Sequence, residues 1–157
     1  MEDLHGSVGT WVSLSDPAVA EIAAGEAFDF VVVDTEHTPL GMETVADCLR
    51  AVDATGNAGV VRTPWNDPVR IKRLLDLGPD GLLVPMVESA VELGVIAGVL
   101  GEACPDLVPL IETPCGLRHA LDIASYPSVT AVMFGGGDFS GELGVDRLFR
   151  YEDIDGF

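Results

Sequence analysis

Lysine is almost absent from this chain of 157 residues: Lys72 is the only one, and seven arginines accompany it against 26 acidic residues. The formal net charge is −18. A surface of this sign repels phosphate backbones and anionic membranes, which excludes nucleic-acid and membrane-surface binding as functions. Such acidic surfaces with little lysine are typical of proteins from salt-loving cells, where salt screens the self-repulsion; an ordinary acidic protein is the alternative.

Cysteine and long apolar runs are scarce as well. Cys48, Cys104 and Cys115 form no CxxC pair, which argues against a disulfide framework and a zinc site. The most apolar window, residues 81–100, is broken by a proline and two glutamates and does not resemble a membrane span. The first residues are acidic and contain no apolar secretory signal. We therefore expect a soluble, cytoplasmic protein.

Apolar residues make up 48% of the chain, enough for the core of one domain over residues 1–157. Short β-branched runs alternate with helical stretches along the chain. These runs are continuously apolar, which is typical of strands buried on both faces. The predicted strands cover residues 8–14, 28–33, 59–62, 81–86, 107–111 and 129–134.

The predicted helices begin at recognisable capping residues. Asp16, Asp67 and Thr113 each precede a proline, whose fixed φ suits the first helical turn. Alternating β and α units with parallel strands imply right-handed crossovers, hence α/β architecture as a doubly wound sheet or a barrel. An eight-unit barrel normally needs about 200 residues or more. Six βα units are visible here, so an open or incomplete barrel, or a fragment, is expected.

Polar groups follow the strands at their carboxyl ends. In parallel α/β folds these ends meet on one face, where ligands bind, so the pattern predicts a small-molecule site. The groups concerned are Asp34, Glu36 and His37 after the second strand, Arg62 at the end of the third, Glu88 after the fourth, Glu112 after the fifth and Asp138 after the sixth.

Glu112 and Asp138 are candidate ligands for a hard divalent cation, Mg²⁺ or Mn²⁺. Asp138 follows three glycines, and a backbone without Cβ atoms there, as at Gly137, lets a substrate approach closely. The alternatives are a helix-capping role for Glu112 and a plain turn for the glycines. Schiff-base catalysis needs a desolvated lysine, whereas Lys72 lies on a predicted exposed helix face, so a metal is expected to supply the electrophile.

His37 is a candidate general base, with Asp34 or Glu36 orienting its ring. Arg62 is a candidate clamp for a substrate carboxylate through a bidentate pair. The alternatives are a structural or surface histidine and an arginine paired with one of the nearby acids.

Several of these segments resemble one family. GTW at residues 9–11, FDFVVVDTEH at 28–37, VRTPWND at 61–67 and LVPM at 83–86 resemble the HpcH/HpaI aldolase/citrate lyase family. The first half is most similar to its pyruvate-dependent class II aldolases, which act on 4-hydroxy-2-keto acids. LIET at 110–113 and MFGGGDFS at 133–140 are closer to the citrate lyase β-subunit and malyl-CoA lyase branch.

The resemblance implies a (β/α)₈ TIM barrel, here incomplete, assembled into a homo-trimer or hexamer. It implies that Glu112 and Asp138 hold the metal, that Arg62 binds the 2-keto acid and stabilises its enolate, and that His37, paired with Asp34, is the base. Leu110 occupies the position where the aldolases usually carry a glutamine. A malyl- or citramalyl-CoA-type lyase and a truncated, non-catalytic barrel remnant are the alternative functions.

Overall fold

Six parallel strands form one sheet in the computed structural model, which describes residues 7–100 and 105–145. Each strand pairs with the next in the chain, so the order is sequential from β1 to β6. Barrels have this sequential order, whereas a doubly wound sheet reverses its order at a switch point. The α/β class is therefore confirmed, with a curled six-stranded sheet like part of a TIM barrel. The strands are β1 (Gly9–Val12), β2 (Phe30–Asp34), β3 (Ala58–Arg62), β4 (Gly81–Val84), β5 (Asp106–Ile111) and β6 (Met133–Phe134).

Three helices begin where the sequence predicts. The Asp16 side chain accepts a hydrogen bond from the Ala18 amide, and Asp67 and Thr113 cap their helices in the same way. The helices in the described residues are α1 (Pro17–Gly25), α2 (Met42–Asp53), α3 (Pro68–Leu75), α4 (Ala90–Leu100), α5 (Pro114–Arg118), α6 (Ala120–Ala124) and α7 (Gly136–Leu143).

Two hydrophobic clusters cover the two faces of the sheet. Val31 and Val33 of β2 join buried residues of the surrounding helices, such as Ile71 and Ile96, in the larger cluster. Val32, between them, belongs to a smaller cluster with side chains from neighbouring strands on the opposite face. Because successive strand residues point to opposite faces, both faces need apolar residues, which explains the continuous apolar runs.

Four predicted strands extend beyond the observed ones, those at residues 8–14, 28–33, 81–86 and 129–134, and the first and last differ most. Predicted strand 8–14 is reduced to β1, because Val8 and Leu14 are exposed. Predicted strand 129–134 contains one isolated bridge, from Val129 to Leu107, followed by the short β6. The Thr130 side chain donates a hydrogen bond to Asp106, and pairing resumes at Met133 opposite Leu110.

No helix within residues 7–100 and 105–145 is long and apolar enough to cross a membrane. Cys48 is buried and Cys115 is half-buried, and both thiols are free. Cys104 lies outside the described residues.

Candidate active site

The carboxyl ends of β2 and β3 place an acidic and a positively charged side chain next to each other. Asp34 and Arg62 are the last residues of these strands and are direct partners in the parallel register. Arg62 Nε donates to Asp34 Oδ1 at 2.8 Å, and Nη2 donates to Oδ2 at 2.7 Å. The Trp11 ring from β1 covers the guanidinium, with Cζ 4.7 Å from the ring centroid. Both partners of this bidentate pair are buried.

The charge on Asp34 is fixed by this pair. Burial by itself raises the pKa of an aspartate, but the hydrogen bonds from Arg62 and from the Glu36 amide, with the Arg62 charge, outweigh it. The pKa of Asp34 therefore lies below its usual value, and the carboxylate stays ionised. Asp34 is an anchor that holds the plane of the Arg62 guanidinium.

Glu36 lies on the other side of the same guanidinium. Its Oε2 atom is buried and lies 3.1 Å from Arg62 Nη1, within ion-pair distance. The angles at this contact are unsuitable for a hydrogen bond, and Oε2 has no other hydrogen-bond partner among the described residues. Burial raises the pKa of Glu36 despite the nearby charges of Arg62 and His37. The sequence offered an ion pair of Arg62 with a nearby acid as the alternative to substrate binding, and the structure shows such contacts with both Asp34 and Glu36.

His37 is exposed at the rim, the edge of the sheet formed by the carboxyl ends of the strands, and faces two carboxylates. Its Nε2 atom lies 3.7 Å from Asp138 Oδ2 and 3.9 Å from Glu36 Oε2. Of the two acids predicted to orient the His37 ring, Glu36 lies near its Nε2 atom, whereas the Asp34 carboxylate faces the Arg62 guanidinium, so the pairing of His37 with Asp34 needs correction. The bidentate guanidinium pair is the stronger and more geometrically specific interaction.

Glu112 follows β5 and is 1% exposed. Its Oε2 atom accepts a hydrogen bond of 2.9 Å from the Met86 amide. Burial raises the pKa of Glu112 to about 7, and the charges of Asp138 and Glu36 add to the effect, against the Met86 hydrogen bond and the Arg62 charge. Met86 adopts φ 56°, a left-handed conformation unusual for a non-glycine residue, which no sequence signal indicated.

Glu112 and Asp138 are the two carboxylates that could hold a divalent cation, and this role stays a prediction. Within residues 7–100 and 105–145 there is no cluster of three or more His, Cys, Asp or Glu side chains suited to a metal. Mg²⁺, however, is commonly bound by one or two carboxylates and completed by water and substrate oxygens. Glu112 and Asp138 raise the local negative charge together, as the pKa of Glu112 reflects, and a cation beside them would offset it.

Two other predicted positions are not part of this group. Glu88 Oε1 accepts a hydrogen bond of 2.7 Å from the Thr113 hydroxyl, which ties it to the cap of α5. Gly137, in the first turn of α7, has open space where a Cβ would lie, and its role in substrate binding stays a prediction. Gly135 has the tighter position, because the Glu112 carboxylate packs against it.

Replacing Gly135 by alanine tests how this carboxylate is positioned. The new Cβ would overlap Glu112 Cγ and Oε1, so the side chain must move. We expect Gly135→Ala to weaken Mg²⁺ binding and turnover by about 10²-fold, the effect of a displacement of about 1 Å in a catalytic group. Isothermal titration calorimetry and steady-state kinetics measure both effects.

Gly141→Ala is the matched control in the same helix, α7, since a Cβ there meets no atom within 4 Å. It should leave binding and turnover unchanged. Equal behaviour of the two alanine variants would show that the contact between Gly135 and Glu112 has no influence on the site.

Curated relatives match part of the chain. The 4-hydroxy-2-oxo-heptane-1,7-dioate aldolase of Shigella boydii serotype 18 is 48% identical over 85 residues, 54% of this chain and 32% of that enzyme. The enzyme of the same name from Escherichia coli strain SE11 is 47% identical over an equal length. The matched part of the chain thus spans about a third of the length of these relatives.

Solved structures share the fold over nearly the whole chain. An HpcH/HpaI aldolase/citrate lyase family protein from Burkholderia cenocepacia J2315 has a TM-score of 0.85 at 23% identity, covering 95% of this chain and 72% of that one. The citrate lyase β subunit of M. tuberculosis, complexed with oxaloacetate and magnesium, has a TM-score of 0.67 at 23% identity, covering 96% and 68%.

A family model settles the relationship that these similarities indicate. The model described as HpcH/HpaI aldolase/citrate lyase matches residues 7–154, far more than half of the chain. The segments that carried the resemblance in the sequence, among them FDFVVVDTEH and VRTPWND, lie within this range. The chain therefore belongs to the HpcH/HpaI aldolase/citrate lyase family.

Proposed function

We propose that this chain carries the site of a metal-dependent aldolase that cleaves or forms a carbon–carbon bond in 4-hydroxy-2-keto acids, with pyruvate or a close 2-keto acid as one product. One observation carries the proposal: a buried, anchored guanidinium, Arg62, lies on the same strand-end rim as the buried carboxylate Glu112. The names of the curated relatives agree with this reaction class.

Arg62 is suited to bind the carboxylate of the 2-keto acid. Of the five N–H groups of an arginine, Asp34 uses one on Nε and one on Nη2. Further N–H groups on Nη1 and Nη2 remain for a substrate carboxylate, next to Glu36. Asp34 fixes the guanidinium plane and Trp11 covers its face, so little side-chain entropy remains to be lost on binding.

Glu112 and Asp138 would hold the cation, Mg²⁺ or Mn²⁺. When bound, the metal supplies Lewis-acid stabilisation of the negative charge that develops on the keto oxygen. The buried position of Glu112 excludes water around one side of this site, which strengthens the electrostatic interactions there.

His37 would move the proton. In the cleavage direction, the neutral imidazole of His37 takes the proton of the C4 hydroxyl. The C3–C4 bond then breaks, and C4 leaves as the carbonyl carbon of an aldehyde. The electron pair of the broken bond stays with C3 and forms the enolate of the 2-keto acid. Glu36 and Asp138 lie where their charges stabilise the imidazolium that results. The His37 imidazolium would then give its proton to C3 of the enolate, which forms the keto acid with its carboxylate on Arg62 and restores the neutral base.

A coupled assay for pyruvate tests this reaction. The purified chain is incubated in high salt with a 4-hydroxy-2-keto acid and Mg²⁺, Mn²⁺ or a chelator. We expect pyruvate release that requires the cation, stops with chelator and returns when the metal is restored. Undiminished release in chelator would eliminate the metal mechanism, and turnover of a malyl thioester alone would favour the acyl-CoA lyase.

Three expectations remain predictions. A homo-trimer or hexamer, a cytoplasmic location and an origin in a salt-loving cell agree with the family resemblance and the charge of −18. If the chain folds and binds metal but turns over neither 4-hydroxy-2-keto acids nor malyl thioesters, it is a non-catalytic barrel remnant.

A further inference from the structure

A cavity of about 500 Å³ lies against the loop after β2. Its walls come from the loop after β2, the first turn of α2 and one side of α3. Asp34, Arg62, Glu112 and Asp138 are not among the residues that line it. The cavity is thus lined by residues other than those of the candidate active site, including Thr35 and Thr38, which flank Glu36 and His37 in the loop after β2.

Two arginines of α3 give the wall of this cavity a positive charge that favours an anionic ligand. Arg70 and Arg73 both line it, and residues three apart in a helix lie on one face. Among the described residues, neither has a carboxylate within ion-pair distance, whereas Arg50 and Arg62 have acidic partners. In a chain of net charge −18, two guanidiniums that line one cavity and have no acidic partner within residues 7–100 and 105–145 form a local reversal of charge.

Apart from two threonines, the rest of the lining is apolar. Leu40, Met42, Val45 and Leu74 form an apolar part of the wall next to the two guanidiniums. The volume falls in the range of small-molecule sites and exceeds what an inorganic anion fills. A ligand that satisfies both parts of the wall has a negative charge at one end and several carbon atoms beside it.

We propose that this cavity binds a small organic anion with one or two carboxylates on a short aliphatic chain. Arg70 and Arg73 bind the carboxylate, and the aliphatic wall covers the carbon chain. This site is additional to the proposed aldolase chemistry and needs neither Arg62 nor the metal.

The polar residues between the two sites are occupied in holding the loop. The Thr35 hydroxyl donates to the Arg62 carbonyl oxygen at 2.5 Å, and the Thr38 hydroxyl donates to the Asp34 carbonyl oxygen. Both threonines also line the cavity. The loop is therefore fixed to the strand ends, and its two faces serve two ligands.

Calorimetric titration of glutarate into the full chain tests the proposal, with chelator present to exclude binding through a metal. We expect saturable binding of one glutarate, about tenfold weaker in Arg70→Gln and in Arg73→Gln, and absent in the double variant. Lys72→Gln is the matched control: it removes a positive charge from the same helix at a position that does not line the cavity, and should change affinity less than twofold. Inorganic phosphate is expected to bind more weakly, because it has no carbon chain.

Glutarate bound at Arg62 instead would be unaffected by changes to Arg70 and Arg73, so dependence on these two arginines is the criterion. Wild-type affinity in the double variant, an equal loss in Lys72→Gln, phosphate binding as tight as glutarate, or no saturable binding would each overturn the proposal. None of these outcomes affects the aldolase proposal, which depends on Glu112 and on metal-dependent turnover.

Discussion

Glu112→Gln is expected to lower kcat/KM for pyruvate release by about 10³-fold, because a cation that contributes several kcal/mol to the transition state would be lost. Glutamine has the same shape, and its carbonyl oxygen still accepts the Met86 hydrogen bond, so the fold should persist. The change removes the negative charge that the cation needs. Mg²⁺ affinity, measured by calorimetry, should fall together with turnover.

Glu88→Gln is the matched control for this substitution. Glu88 also follows a strand of the sheet, but it accepts a hydrogen bond from Thr113, and glutamine can accept the same bond. The turnover and metal affinity of Glu88→Gln should stay within about threefold of wild type, because substitutions away from a site usually have effects of this size. Equal, small effects of the two substitutions would remove Glu112 from the site.

Arg62→Met is expected to lower the free energy of unfolding at pH 7 by about 3–5 kcal/mol, because it leaves the buried Asp34 carboxylate without its partner. It should also abolish turnover, since the group that binds the substrate carboxylate is lost. Chemical denaturation measures the stability change. Arg50→Met is the control: it breaks an exposed ion pair with Asp47 and should cost less than about 1 kcal/mol.

The difference in the free energy of unfolding between wild type and Arg62→Met depends on pH with a definite sign. In the wild type the pKa of Asp34 is below its usual value, so the stability it contributes is present above the unfolded pKa and is lost only as pH falls through the lower, folded pKa. Without Arg62, burial dominates and raises the pKa of Asp34. The variant then regains stability as its carboxylate takes up a proton.

The stability gap between wild type and Arg62→Met should therefore narrow as the pH falls from 7 to 4. A gap that stays constant over this interval would mean that the loss comes from packing and not from the unpaired charge. Denaturation curves at several pH values separate the two causes.

Local chemistry explains which parts of the fold were predictable. The caps at Asp16, Asp67 and Thr113 depend on residues that are neighbours in the chain, and all three occur as predicted. The strands were predictable because burial on both faces leaves a continuous apolar run. The short β6 was not predictable, since an apolar run does not reveal where strand pairing is interrupted.

The membership of the rim was predictable, whereas the pairing within it was not. Parallel strand ends bring Asp34 and Arg62 to one face whatever their side chains do. Which acid binds the guanidinium depends on strand register and burial, and so the expected contact of Asp34 with His37 was wrong. The left-handed Met86 and the packing of Gly135 against Glu112 depend likewise on tertiary approach, which the sequence does not encode locally.

Anomalous diffraction from crystals of the chain grown with Mn²⁺ is the most direct measurement of whether Glu112 and Asp138 hold one cation. We expect a single strong anomalous peak in contact with both carboxylates, and its loss in Glu112→Gln crystals. A peak bound to other residues, or the absence of any peak at saturating Mn²⁺, would contradict the metal site and the chemistry derived from it.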